Sequence, residues 1–244
     1  MKKALLSTLI AGAFAAGANA QTLNSQVFTD SPTDAYVSAG GTAEILSMEV
    51  SNTTSDLRFS LTVGGNVATT DWVKFLVGIS TGQGPSTTTG NGWGRPINMN
   101  SPVGGMNYWM GSWVDSGGAA QFFSYSGSAW VGGTAPAFSI TSGSNSVINL
   151  TIPLSAIGIS LNDTIYFDAY TSGGNNTDSA IDALANPTQS ITAWDQTYTS
   201  EVKTGSAAPG IYSYTAVPEP TTYALLTLGA LGLAGYAARR RARK

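Results

Sequence analysis

Neither cysteine nor histidine occurs anywhere in the 244 residues. Without histidine there is no Ser-His-Asp or Cys-His machinery and no histidine ligand for haem, and without imidazole or thiolate there is no ordinary zinc site. Any metal must be held by oxygen, which favours calcium or magnesium. The lack of cysteine also rules out disulfides, so a body of this length has to rely on its core. Basic residues are scarce where they would matter. Between residues 21 and 216 they are Arg58, Lys74, Arg95 and Lys203, against thirteen acids, for a net charge of −9. Such a field repels polyanions, which argues against nucleic acid and anionic lipid as partners of this stretch.

Positive charge is concentrated at the two ends instead. Lys2 and Lys3 precede an apolar run from Ala4 to Ala18, and Ala18-Asn19-Ala20 has the small-x-small pattern that signal peptidase cleaves. This predicts a signal peptide over residues 1–20 and a mature start at Gln21. At the other end, the 18 residues from Thr221 to Ala238 carry no charge. As a helix they would reach roughly 27 Å, close to a hydrocarbon core of about 30 Å, which predicts a single transmembrane helix over 221–238. Arg239, Arg240, Arg241, Arg243 and Lys244 follow at once. Positive charge beside a spanning segment stays cytoplasmic, so the chain before Val217 lies outside the inner membrane. Pro218 and Pro220 hold Glu219 in an extended corner that presents its carboxylate near the membrane surface.

A Pro-Glu-Pro corner, an apolar helix and a terminal arginine cluster, in that order over residues 217–244, resemble a PEP-CTERM sorting signal. The resemblance implies recognition by exosortase, a membrane-embedded transpeptidase-like enzyme, and tail processing in a Gram-negative, exopolysaccharide-producing host. The same residues also read as a plain stop-transfer anchor with Pro-Glu-Pro as linker. Tails of this kind are also named after ice-binding proteins that carry them. An ice-binding body would need a flat threonine array, and Thr87-Thr88-Thr89 is a lone run in a loop.

Between these ends a polar lead-in over 21–41 precedes one domain over 42–216. Asp56 to Val63 alternates Leu57, Phe59, Leu61 and Val63 against Arg58, Ser60 and Thr62, the period of a half-buried strand. Thr42–Val50 joins it through the polar turn Ser51–Ser55 as a hairpin. Further strands are expected at 72–80, 106–115, 120–125, 129–131, 146–152, 163–171, 194–199 and 211–215, with one long loop over 81–105. Leu154 to Gly158 fits a single helical turn, and Asp178 to Ala185 reads as a short helix stopped by Asn186-Pro187. Many short strands with Gly-rich turns and few helical turns predict an all-β fold, a single antiparallel β-sandwich of jelly-roll or immunoglobulin-like form. The run from Glu49 to Leu61, the later Ile152–Gly158 turn and the strand from Asp163 to Tyr170 resemble the DOMON and family-9 carbohydrate-binding superfamily. Its members bind sugars or haem.

Aromatic residues are the densest chemical signal. Trp93, Tyr108, Trp109, Trp113 and Trp130 crowd together beside the long loop, with Arg95 among them. Flat rings stack on the apolar faces of sugars while charged groups fix hydroxyls, so these six residues are candidates for binding polysaccharide. Alternation puts Trp109 and Trp113 on one strand face with Gly111 leaving a gap between them. The alternative is that the rings fill the sandwich core, with Arg95 serving as partner to Asp115. Asp168, Asp178 and Asp182 are candidate oxygen ligands for calcium, or else loop caps. Paired carboxylates could serve glycoside hydrolysis, but thirteen scattered acids select no pair. The reading is an exported, non-catalytic surface or biofilm-matrix protein that binds polysaccharide, or one with a purely structural role.

Overall fold

The computed structural model describes residues 24–202, 210–218 and 229. The expected signal peptide over 1–20 lies outside the described residues. So do Glu219, Pro220, the helix expected over 221–238 apart from Gly229, and the basic cluster of Arg239, Arg240, Arg241, Arg243 and Lys244. Among the described residues no helix is long and apolar enough to cross a membrane.

Two antiparallel sheets make up the body. The first has five strands, β1 (Asn24–Thr29), β2 (Ile45–Asn52), β3 (Asp56–Val63), β9 (Ala137–Thr141) and β10 (Ser146–Pro153), in the order β1-β2-β3-β10-β9. The second contains β4 (Lys74–Ser80), β6 (Tyr108–Trp113), β7 (Ala119–Tyr125), β8 (Trp130–Gly132), β11 (Thr164–Ser172) and β12 (Ala180–Ala183), in the order β12-β11-β4-β6-β7-β8. A further strand, β14 (Tyr212–Thr215), shares one edge of β11 with β12.

Alternation decides what each sheet buries. Leu57, Phe59, Leu61 and Val63 of β3 point inward with Ile148, Leu150 and Ile152 of β10, and meet Phe75, Val77, Ile79, Ile165 and Phe167 of the second sheet in one apolar cluster. Phe59 and Phe167 make contact across it with ring centres 5.7 Å apart. The β2–β3 turn forms as expected, with Thr53 Oγ1 accepting from the Ser55 and Asp56 amides. A 3-10 turn spans Leu154–Ile157 and closes at Gly158 in the left-handed conformation, also as expected.

Three expectations are corrected. The lead-in segment is partly an edge strand, β1, whose Phe28 is buried against Phe167 and Tyr212. The expected helix over 178–185 is instead strand β12, because β11 offers a free edge and all four β12 residues are buried. One isolated turn or two of alanine-rich helix cannot compete with that pairing. The fold is also not wholly antiparallel. Within the long loop, β5 (Ile97–Met99) pairs in parallel with β13 (Tyr198–Ser200). This ribbon lies over the outer face of the second sheet, where Ile97, Met99 and Tyr198 join Leu76, Trp109 and Tyr170 in a second apolar cluster.

The registers also orient the molecule. Asn24 pairs with Asn52, and Asn52 holds the chain exit by bonding Val217 through its side-chain amide and carbonyl at 2.9 and 3.1 Å. Thr164 pairs with Thr215 at this same end. Ser172, Lys74 and Trp113 line up at the opposite end of the second sheet.

Candidate functional site

At that far end the long loop folds back over the sheet, and Asn91 sets its shape. Its amide donates to the carbonyls of Arg95 and Ile97, while its oxygen accepts from the amides of Trp93 and Arg95. Gly94, at φ 67°, supplies the left-handed residue this turn requires. The turn drops the Trp93 ring onto Gly111, the gap between Trp109 and Trp113, where any Cβ would strike the indole. Trp93 is held there by Gln121, which accepts from its Nε1 at 2.8 Å, and its ring lies 6.1 Å from that of Trp113.

Arg95 sits 5.4 Å from the Trp93 ring centre and is only 3% exposed. Its guanidinium donates to the Ser172 hydroxyl at 2.7 Å and the Asp178 main-chain carbonyl at 3.1 Å. Burial pulls its pKa down and the Asp178 charge opposes this. The suggested partner Asp115 pairs instead with Lys74 at 2.7 Å. Arg95 therefore anchors the loop to β11.

The aromatic candidates divide. Trp109 is fully buried, stacked 5.9 Å from Tyr170, and has no face left for a sugar. Tyr108 points to the other side of β6 and stacks on Phe122. Trp130 lies on the edge strand β8 against Tyr125. Trp93 and Trp113 remain half-buried, and of the two Trp93 lines a cleft of about 300 Å³ together with Lys74, Arg95, Gln121, Gly174 and Asn176. Gly174 is shared with a neighbouring cleft of about 610 Å³, lined also by Trp72, Asn175, Thr177, Asp178 and Trp194. Trp72 and Trp194 are 37% and 38% exposed, with ring centres 6.2 Å apart and planes tilted by 59°. Sequence reading missed both. The sequence places each at the start of an expected strand, over 72–80 and 194–199, but β4 begins at Lys74 and β13 at Tyr198, so each ring stands on irregular chain whose side alternation does not give, although each has an aspartate beside it, Asp71 and Asp195.

The acids proposed as calcium ligands are not brought together. Asp168 is buried on the outer face of β11, accepting from the Ser200 hydroxyl at 2.5 Å and from the Ala169 and Ala185 amides. Asp178 accepts from the Asn175 amide and shapes the larger cleft. Asp182 faces the opposite way, towards Asp30 and Asp34.

The C-terminal segment carries the deciding likeness. Residues 216–241 match the family model of the PEP-CTERM protein-sorting motif. The chain carries this sorting motif. The match includes Pro218, Glu219, Pro220 and Arg239 to Arg241, and stops short of Arg243 and Lys244. The PEP-CTERM motif implies exosortase as the processing partner and export to the cell envelope or surface. No curated protein and no solved structure matches the chain.

Proposed function

We propose that the exported body binds polysaccharide without catalysis, in the groove that runs from Trp72 and Trp194 to Trp93. Its mature form would act at the cell surface or in the extracellular matrix. The supporting observation is the pair of half-exposed indoles flanking the 610 Å³ cleft. Two tilted apolar faces suit sugar rings, and the polar groups around them, Asn175, Thr177 and Asp178, suit hydroxyls. Beyond Gly174 the groove continues past Asn176, Gln121 and Lys74, long enough in character for a chain of sugars rather than one. Among the described lining residues Asp178 is the one carboxylate, whereas glycoside hydrolysis ordinarily uses two.

Titrating the exported protein with exopolysaccharide fragments tests this reading. Trp72→Ala and Trp194→Ala should each weaken binding roughly tenfold, about 1.4 kcal/mol, with circular dichroism unchanged. Unaltered affinity in both variants would place the sugar elsewhere on the body and overturn this groove, and no binding by the parent would leave a structural matrix protein with no specific ligand. Release of reducing sugar would make it a hydrolase.

A further inference from the structure

We infer that Asp30, Asp34 and Asp182 form a binding site for one calcium ion. Each contributes a carboxylate oxygen, and the three oxygens lie within 4.8 Å of one another. Calcium–oxygen bonds of about 2.3–2.6 Å put opposite ligands about 5 Å apart, so this spacing fits three ligands to a single ion.

A second observation shows that the cluster lacks a partner. Asp30 Oδ2 and both oxygens of Asp34 are sealed from solvent and accept no hydrogen bond. Buried carboxylate oxygens are almost always satisfied, and leaving three without donor or counter-charge is costly. The other oxygens are oriented by the backbone. Asp182 accepts from the Ile45 amide at 2.7 Å and the Ala183 amide at 2.8 Å, and Asp30 accepts from the Ser31 amide at 2.8 Å. The charged and titratable groups that act on the cluster are Glu44, Asp168 and the Tyr212 hydroxyl, none of them cationic. Glu44 stands beside Asp34 and accepts from the amides of Thr33, Asp34 and Ala35, which holds the loop in place around the site.

An all-oxygen donor set excludes soft metals. Ligands carried on an irregular segment suit the tolerant shell of six to eight oxygens that calcium takes, with water completing it, better than the strict octahedron of magnesium. The ion would tie the segment after β1 to strand β12, next to the place where the Tyr36 amide donates to the Ile181 carbonyl at 2.8 Å. None of this depends on what fills the groove.

The test is calcium titration of the exported protein after treatment with a chelator, by calorimetry and thermal denaturation. One ion should bind per chain and raise the melting temperature by about 5–10 °C at a hundredfold excess over Kd. Asp34→Ala and Asp30→Asn should each lose at least tenfold in affinity, together with most of that shift. Both should melt no lower than the parent in chelator, because each removes one of several crowded like charges. Asp195→Asn, which changes an exposed acid elsewhere, should bind as the parent does. No calcium-dependent shift in the parent, or a shift that survives both Asp34→Ala and Asp30→Asn, overturns the inference.

Discussion

Asp168 is a carboxyl the fold has enclosed completely, and its chemistry follows from that. Burial pushes its pKa up to about 7, against the opposing pull of the Ser200 hydroxyl and the Ala169 and Ala185 amides. Ser200 donates to Asp168, so in the 2.8 Å contact between the Tyr170 and Ser200 hydroxyls it is Tyr170 that donates. The chain Tyr170 to Ser200 to Asp168 therefore ties β11 to the parallel ribbon over its outer face. A group whose folded pKa lies above its ordinary value of 3.8 stabilises the fold fully below that value and loses the contribution as pH rises through about 7. Denaturant midpoints measured with calcium saturating should accordingly fall between pH 5 and 8. Asp168→Asn should remove that part of the slope, which is on the order of a few kcal/mol for a fully buried carboxyl. An unchanged slope in the variant would assign the dependence to other groups.

Strand β6 shows how an element and a loop share one surface. Because Gly111 has no side chain, the Trp93 ring can lie flat on the sheet between Trp109 and Trp113. Gly111→Ala should push the indole out, breaking its bond to Gln121 and its contact with Arg95. The expected cost is about 1–3 kcal/mol in denaturant unfolding, with Trp93 more accessible to a fluorescence quencher. The alternation of β6 was legible in the sequence, as was the gap at Gly111, but not what fills it, since nothing local says that a residue eighteen positions earlier returns there. The same limit separates the strands that could be read from those that could not. β3 and β10 bury one face each, so their periodicity is plain. β1 is an edge strand with mostly exposed residues and β12 is buried on both sides, so neither alternates visibly, while β9 alternates Phe138 and Ile140 against Ser139 and Thr141 over only five residues, too short a run to stand out from the loop around it. The metal candidates failed for a related reason. Asp182 is a ligand candidate in the structure, but its companions Asp30 and Asp34 lie some 150 residues away in sequence, in a segment that reads as polar lead-in.

At the scale of the whole molecule, the points where the described body begins and ends, Asn24 and Val217, lie at the pole opposite the groove. Asn24 and Val217 both meet Asn52, through strand register and through side-chain hydrogen bonds. The groove residue Lys74 and its register partner Trp113 lie beside Ser172, at the other end of the nine-residue strand β11, a separation of roughly 26 Å. A PEP-CTERM tail held at the membrane before processing would thus keep the Asn52 pole against the lipid and point Trp72 and Trp194 away from it. The chain has no cysteine, so a single introduced thiol reports its own surroundings. Thr177→Cys in the exposed groove loop should react with a membrane-impermeant maleimide several-fold faster than Thr54→Cys, in the exposed turn next to Asn52, while the tail is intact. If processing by exosortase removes the tail, the two rates should converge, because on this arrangement the membrane and not the fold would shield Thr54. Equal rates before processing would mean that the body hangs free of the surface, and slower labelling at Thr177 would mean that it lies the other way up.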